Sequence, residues 1–255
     1  MTEHPLPRNP LWIAYETLAM VIGLGTLAVF CLIWLPFAML LHLLLPRRIG
    51  QPLGRVVIAA GFRGYLGVLT LLCAARFDLS GLDHLRGEGP VIVAANHPSL
   101  LDAVMIVSRL PNAVCVMKAS LLDNVLFGAA ARLAGYIRND EPLEMILKAR
   151  EELGRGAQLV VFPEGTRTTH FPLDPCQSAV GLIAARSRVP VQALLIEFST
   201  PYLGKSWPLF RPPVLPLTCR IRLGRRFPPP ADIPAFTAEL EAYFRTELAT
   251  SSAVA

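Results

Sequence analysis

The sequence is short of charge. Asp, Glu, Lys and Arg make up 17% of its 255 residues, against roughly 25% in an ordinary soluble domain. Hydrophobic residues account for 53% and mean hydropathy is +0.47, which points to a membrane-associated protein. No dense Lys/Arg tract with interleaved aromatics is present, so nucleic acid is a poor partner. The net charge of +5 suits an anionic lipid surface or a phosphorylated ligand instead. Paired cysteines are also missing. Cys31, Cys73, Cys115, Cys176 and Cys219 lie far apart among apolar or small neighbours and form no C-x-x-C. They read as reduced, buried thiols, which suits a body facing the cytosol. A G-x-S-x-G elbow, a phosphate-cradling P-loop and a cluster of metal-ligand residues are all absent. A serine hydrolase of the elbow type is thereby excluded, and no metal is expected.

Charge is missing altogether between Glu16 and Arg47, where the chain reads "TLAMVIGLGTLAVFCLIWLPFAMLLHLLLP". As one helix this run would reach roughly 45 Å, against a hydrocarbon core of about 30 Å. Gly23, Gly25 and Pro36 offer break points. Two arrangements fit: a tilted single span, or a helical hairpin that dips into one leaflet and returns. The run is long for a signal peptide, and no small-x-small site precedes its basic flank. Arg47, Arg48, Arg55 and Arg63 follow it, whereas Arg8 alone precedes it. The positive-inside rule then places the body on the cytoplasmic side, at a bacterial-type inner membrane. A second apolar stretch, residues 56–75, carries Arg63 within it. That charge disfavours a crossing, leaving an interfacial helix or a core helix.

From Pro90 onward strand-like and helix-like runs alternate. "PVIVAA", "AVCVMK", "GYIRND", "AQLVVFP", "VPVQALLIEF" and "LTCRIRLG" read as strands. Residues 99–109, 119–134, 142–154 and 176–187 read as helices between them. "DIPAFTAELEAYFRTEL" closes as an amphipathic helix capped at Asp232. The alternation predicts an α/β fold, a layered sheet with flanking helices. The expected organisation is a membrane-associated helical region over 1–76, the α/β domain over 77–250 and a loose tail over 251–255. The proline-rich residues 201–216 look like a surface excursion.

Two stretches can carry chemistry. In "VIVAANHPSLLDAVMI", Pro98 forces His97 into extended backbone, so the strand cannot run smoothly into the helix. Pro98 then suits the first helical turn. His97 sits on the strand-to-helix corner, where open α/β sheets build their sites. Asp102, one turn on, can hold one imidazole nitrogen and leave the other to accept a proton. The helix start offers amides to a developing oxyanion. The bland alternative is a turn residue beside a helix-start residue. His170 and Asp174, in the loop "HFPLDP", are a weaker rival pair. The second stretch is "VVFPEGTRT". Glu164, Gly165, Thr166 and Arg167 put a carboxylate, a flexible glycine, a hydroxyl and a planar cationic fork at a strand end. Here the alternative is a polar turn in which Glu164 and Arg167 satisfy each other.

"NHPSLLD" followed by "FPEGTR" resembles the glycerolipid acyltransferases of the lysophosphatidic acid acyltransferase (PlsC-domain) type. The resemblance covers residues 77–198, and Val189-Pro190-Val191 matches a further family block. It implies that His97 is the general base that deprotonates an acceptor hydroxyl, with Asp102 orienting it. The hydroxyl attacks an acyl thioester of acyl carrier protein or coenzyme A in one direct transfer, without a cofactor. The acceptor is a membrane lipid, 1-acylglycerol 3-phosphate in the first instance. Glu164, Gly165, Thr166 and Arg167 shape its site, with Arg167 on the phosphate. Arg138, in a shortened "GYIRND", and Lys118 match further phosphate contacts. The segment "TTHFPLDPCQSAVG" departs from the family's basic continuation. That departure keeps open another lipid acceptor, such as an amino-acid lipid or a polyene lipid. A non-catalytic lipid-binding protein is the alternative of another class.

Overall fold

The computed structural model describes residues 9–252. Two long helices, α1 (Pro10–Leu44) and α2 (Arg47–Leu72), precede a seven-stranded sheet. In chain order there follow β1 (Ala75–Asp78), a 3-10 turn (Ser80–Leu85), β2 (Val91–Ala95), α3 (Leu101–Arg109), β3 (Ala113–Met117), α4 (Ala119–Leu122) and α5 (Val125–Ala134). The chain continues through β4 (Ile137–Arg138), α6 (Pro142–Gly154), β5 (Gln158–Val161), α7 (Ala179–Ser187), β6 (Val191–Phe198), β7 (Leu217–Phe227) and α8 (Ile233–Ser252). The spatial order is β1-β7-β6-β2-β5-β3-β4. β6, β2, β5, β3 and β4 run parallel, and β7 is antiparallel to β6.

The expected alternation is present, with three differences. β1 was not expected: "ARFD" has no apolar alternation, yet it pairs in parallel with β7. The helix expected over 119–134 divides at Asn124, whose side chain accepts from the amides of Leu126 and Phe127 and so starts α5 afresh. α8 includes Ser251 and Ser252, within the expected loose tail, and 253–255 lie outside the described residues. The expected cap of α8 is in place, with Asp232 accepting from the Ala235 amide at 3.0 Å.

β2 alternates its burial between two cores, because successive side chains leave a strand on opposite faces. Val91, Val93 and Ala95 join α2 and α3 on one face; Ile92 and Ala94 join α6, α7 and α8 on the other. A strand wholly covered on both faces reads as a continuous apolar run, as "VIVAA" does.

α1 is one helix that continues through Gly23, Gly25 and Pro36. The chain reverses at Leu45–Pro46, so the return limb is α2 and not the second half of the uncharged run. Gly23 makes close packing possible: a Cβ there would lie 3.3 Å from Leu69 of α2. α2 packs onto the body, and its arginines explain how. The buried Arg55 pairs with Glu152 of α6 and donates to the Ala134 carbonyl. Arg63 donates to the Ser108 carbonyl at the end of α3. Both guanidinium groups are bonded to the body, Arg55 buried and Arg63 at the surface.

Candidate active site

Five parallel strands bring their C-terminal ends to one edge, the place where α/β sheets bind ligands. His97 leaves β2 there, in the middle of the sheet. Asn96 fixes its approach: the side chain donates to the Ile196 carbonyl at 2.9 Å and accepts from the Ile196 amide at 2.8 Å, tying β2 to β6. Pro98 and Ser99 then turn the chain. α3 begins only at Leu101, so Pro98 belongs to the corner and not to the first helical turn. The corner closes the pair: His97 Nδ1 lies 2.8 Å from Asp102 Oδ2.

Asp102 is fully buried. Its Oδ2 also accepts from the Ser99 amide at 2.8 Å, while Oδ1 is buried without a partner among the described residues. Burial dominates and pushes the carboxyl up to about 6, although the hydrogen bond and charge of His97 pull it down. An aspartate on Nδ1 fixes the tautomer and leaves Nε2 as the working nitrogen. Nε2 makes no hydrogen bond among the described residues. The imidazole stacks on Phe162, with centroids 3.8 Å apart and 13° between planes, which fixes the ring plane as Asp102 fixes its rotation.

Glu164, just beyond β5, holds the other side of His97. Its Oε1 accepts from the His97 amide and from the Thr168 hydroxyl, both at 2.9 Å, and Oε2 accepts from the Asp174 amide at 2.9 Å. Thr168 returns the tie by donating its amide to the His97 carbonyl at 2.8 Å. Burial raises the Glu164 carboxyl above its ordinary value against these donors. Its oxygens are therefore engaged in placing His97. Gly165 turns the chain with φ +70°, and a Cβ there would come within 2.5 Å of the side-chain Nε2 of Gln177. Gly165→Ala is expected to lower stability by about 1–3 kcal/mol, measured by urea unfolding.

Thr166 is exposed at the rim. Arg167 does not pair with Glu164: its Nη1 donates to the carbonyls of Leu203 and Gly204 at 2.9 and 2.6 Å. Lys118 and Arg138 end β3 and β4 on the same edge. They are two and three strands from β2, roughly 10 and 14 Å away. Arg138 is engaged by Asp123 and Asp140. Val189-Pro190-Val191 enters β6 at the opposite edge, with the Pro190 carbonyl accepting from the Ile92 amide. The rival pair does form, His170 Nδ1 lying 2.9 Å from Asp174, but the imidazole is 87% exposed. The oxyanion role expected of the α3 start is not met by its first amides. Ser99, Leu100 and Leu101 donate to Asp102, to the Leu203 carbonyl and to the Ser99 hydroxyl.

An apolar cavity of about 360 Å³ lies between α1, α2, α5 and the end of β3. Phe30, Trp34, Ile58, Gly61, Phe62 and Met117 are among its walls.

Residues 76–197 match the family model described as Acyltransferase. The chain is similar to the 1-acyl-sn-glycerol-3-phosphate acyltransferase alpha of Mus musculus, 27% identical over 64% of this chain and 60% of that protein. It is also similar to the 1-acyl-sn-glycerol-3-phosphate acyltransferase of Helicobacter pylori, 28% identical over 49% of this chain and 57% of that one. The chain thus spans less than two thirds of the length of these relatives. Its fold is that of the 1-acyl-sn-glycerophosphate (LPA) acyltransferase PlsC from Thermotoga maritima. That likeness has a TM-score of 0.72 at 17% identity, and covers 94% of this chain and 98% of that one. These similarities agree with the resemblance carried by "NHPSLLD" and "FPEGTR". Both motifs converge on His97.

Sequence reasoning passed over Phe162, Asn96, Ser99 and Thr168. Phe162 lies within "VVFPEGTRT", where an apolar residue ending a buried strand carries no signal that it will stack on a histidine. Nothing in the sequence alone marked Leu203 and Gly204 as the partners of Arg167.

Proposed function

We propose that the protein is a membrane-bound O-acyltransferase that moves a fatty acyl chain from a thioester to the hydroxyl of a lyso-lipid, with 1-acylglycerol 3-phosphate as the first-choice acceptor. The observation that carries this reading is the His97–Asp102 bond at the strand-end edge, which leaves Nε2 without a partner among the described residues. Nε2 takes the proton from the acceptor hydroxyl as its oxygen bonds to the thioester carbonyl carbon. Asp102 stabilises the imidazolium so formed. The tetrahedral intermediate collapses, the C–S bond breaks, and the thiolate leaves with the proton from Nε2. Ester and thiol form in equal amounts, without an acyl-enzyme. The donor is an acyl thioester of acyl carrier protein or coenzyme A.

The apolar cavity suits the acyl chain. Gly61 lines it, and a Cβ there would meet nothing within 4 Å. Gly61→Phe is expected to fill this space. It should lower kcat/KM for a long-chain thioester about tenfold relative to a short-chain one, about the worth of a few buried methylenes. Arg167 retains donors beyond Nη1 for an acceptor phosphate. The pairing of Arg138 with Asp123 and Asp140 favours a second reading, the same chemistry on a different lipid acceptor. An acceptor panel with labelled thioester tests both: preference for 1-acylglycerol 3-phosphate supports the first, and preference for a lipid without a phosphomonoester supports the second.

Membrane attachment follows from α1. Its outward side carries Leu11, Ile13, Leu18, Val21, Leu32, Ile33, Leu40 and Leu43, all exposed. Both of its ends are held to the body. Near the start, Glu16 accepts from the Leu215 amide and Trp12 donates to the Leu215 carbonyl. Near the end, Ala38 packs with Ala129 and Leu133 of α5. A helix so fastened cannot cross a bilayer without drawing the body in with it. It lies along one leaflet, and the arginines after it suit the anionic lipids of a cytoplasmic leaflet.

A further inference from the structure

The excursion between β6 and β7, residues 199–216, ends in an apolar tip that no buried core explains. Phe210 is 77% and Leu209 54% exposed. The tip is held outward by its own turn. The Trp207 amide donates to the Gly204 carbonyl at 3.1 Å, the Arg211 amide to the Pro208 carbonyl at 3.0 Å, and the Trp207 indole to the Arg211 carbonyl at 3.0 Å. The Arg211 guanidinium lies 4.5 Å from the centre of the Trp207 ring, and Trp207 meets Tyr202 edge-on at 5.7 Å. Such bracing leaves Leu209 and Phe210 little freedom to fold back.

Two links give this tip a place. Leu215, at the far end of the excursion, is bound to Trp12 and Glu16 of α1, next to the outward Leu11 and Ile13. Leu203, at the near end, accepts from the Leu100 amide and from Arg167, directly beside the His97 corner. The tip therefore shares a neighbourhood with the apolar side of α1 and with the candidate active site.

We infer that Leu209 and Phe210 enter the same bilayer as α1 and hold the mouth of the His97 site against the lipid surface, with Arg167 as the positioning residue that ties tip to site. The inference rests on the membrane reading of α1. A bilayer is the occupant that fits. An apolar pair flanked by a tryptophan and by the exposed cations Lys205 and Arg211 is the side-chain set of the headgroup boundary, and the cations suit anionic lipid.

The test uses the full chain on phosphatidylglycerol–phosphatidylethanolamine vesicles. The fluorescence that F210W adds over wild type should be quenched by lipids spin-labelled high on the acyl chain and shielded from acrylamide. An added signal that acrylamide quenches equally with and without vesicles overturns the inference. In a second arm, Leu209→Ser with Phe210→Ser should raise KM for 1-acylglycerol 3-phosphate presented in the bilayer about tenfold or more. It should leave kcat on a soluble short-chain acceptor unchanged, and an unchanged KM in the bilayer overturns the inference. If wild type transfers no acyl chain to any acceptor, the acyltransferase reading fails, and the quenching arm still decides the insertion.

Discussion

His97→Ala is expected to abolish measurable acyl transfer, a loss of about 10³-fold in kcat, while the protein remains folded. A positioned general base contributes about 10²–10⁴-fold. No other group at the corner can replace this one. Asp102 is buried against Nδ1, and both oxygens of Glu164 accept from protein donors. His170 is a poor substitute, because its imidazole is 87% exposed and held to Asp174. The measurement is single-turnover transfer from a labelled thioester, with circular dichroism to confirm the fold. Transfer at the wild-type rate would remove His97 from the mechanism.

Asp102→Asn separates charge from shape and is the second large effect. The amide oxygen can take the place of Oδ2, accepting from Ser99 and from the imidazole. Its NH₂ group then falls where Oδ1 now sits buried without a partner among the described residues. The geometry survives, but the negative charge that stabilises the imidazolium is gone. We expect kcat to fall about 10²–10⁴-fold, the range of a lost base or its orienter. The pH profile carries the signature. Burial has raised Asp102 to about 6, and the ionised form is the working one. Wild-type activity should therefore be present above that value and fall as pH drops through it. In the asparagine variant the limb assigned to Asp102 should vanish. For stability the sign is opposite. A carboxyl whose folded pKa lies above its unfolded value favours folding when protonated, so its contribution is lost as pH rises between about 4 and 6.

Some of this was legible in the sequence because the determinants are local. Pro98 separates His97 from the helix, and that alone makes a spacing of five residues workable. The buried strand "VIVAA" and the cap at Asp232 follow from rules that span a few positions. What was not legible depends on contacts across the chain. Glu164 reads as a polar turn residue until the fold brings it to the His97 amide, 67 residues away. Arg167 reads as a ligand for phosphate, but the fold gives its Nη1 to carbonyls 36 and 37 residues on. The uncharged run offers break points at Gly23, Gly25 and Pro36, and a hairpin folded within it is one of the two arrangements it allows. It breaks at none of them, because Gly23 lets α2 pack closely along α1 and the turn falls at Pro46. Short β1 carries no signal of its own and exists because β7 offers it an edge.

The central claim is a direct transfer in which His97 Nε2 moves one proton and no acyl group rests on the protein. The most direct test places the protein in vesicles with 1-acylglycerol 3-phosphate and a radiolabelled acyl thioester, and follows free thiol, diacyl product, free fatty acid and protein-bound label together. The account predicts thiol and diacyl product rising one for one, no label on the protein, and neither product with His97→Ala. Thiol release matched by free fatty acid, or label retained on the washed protein, would contradict it.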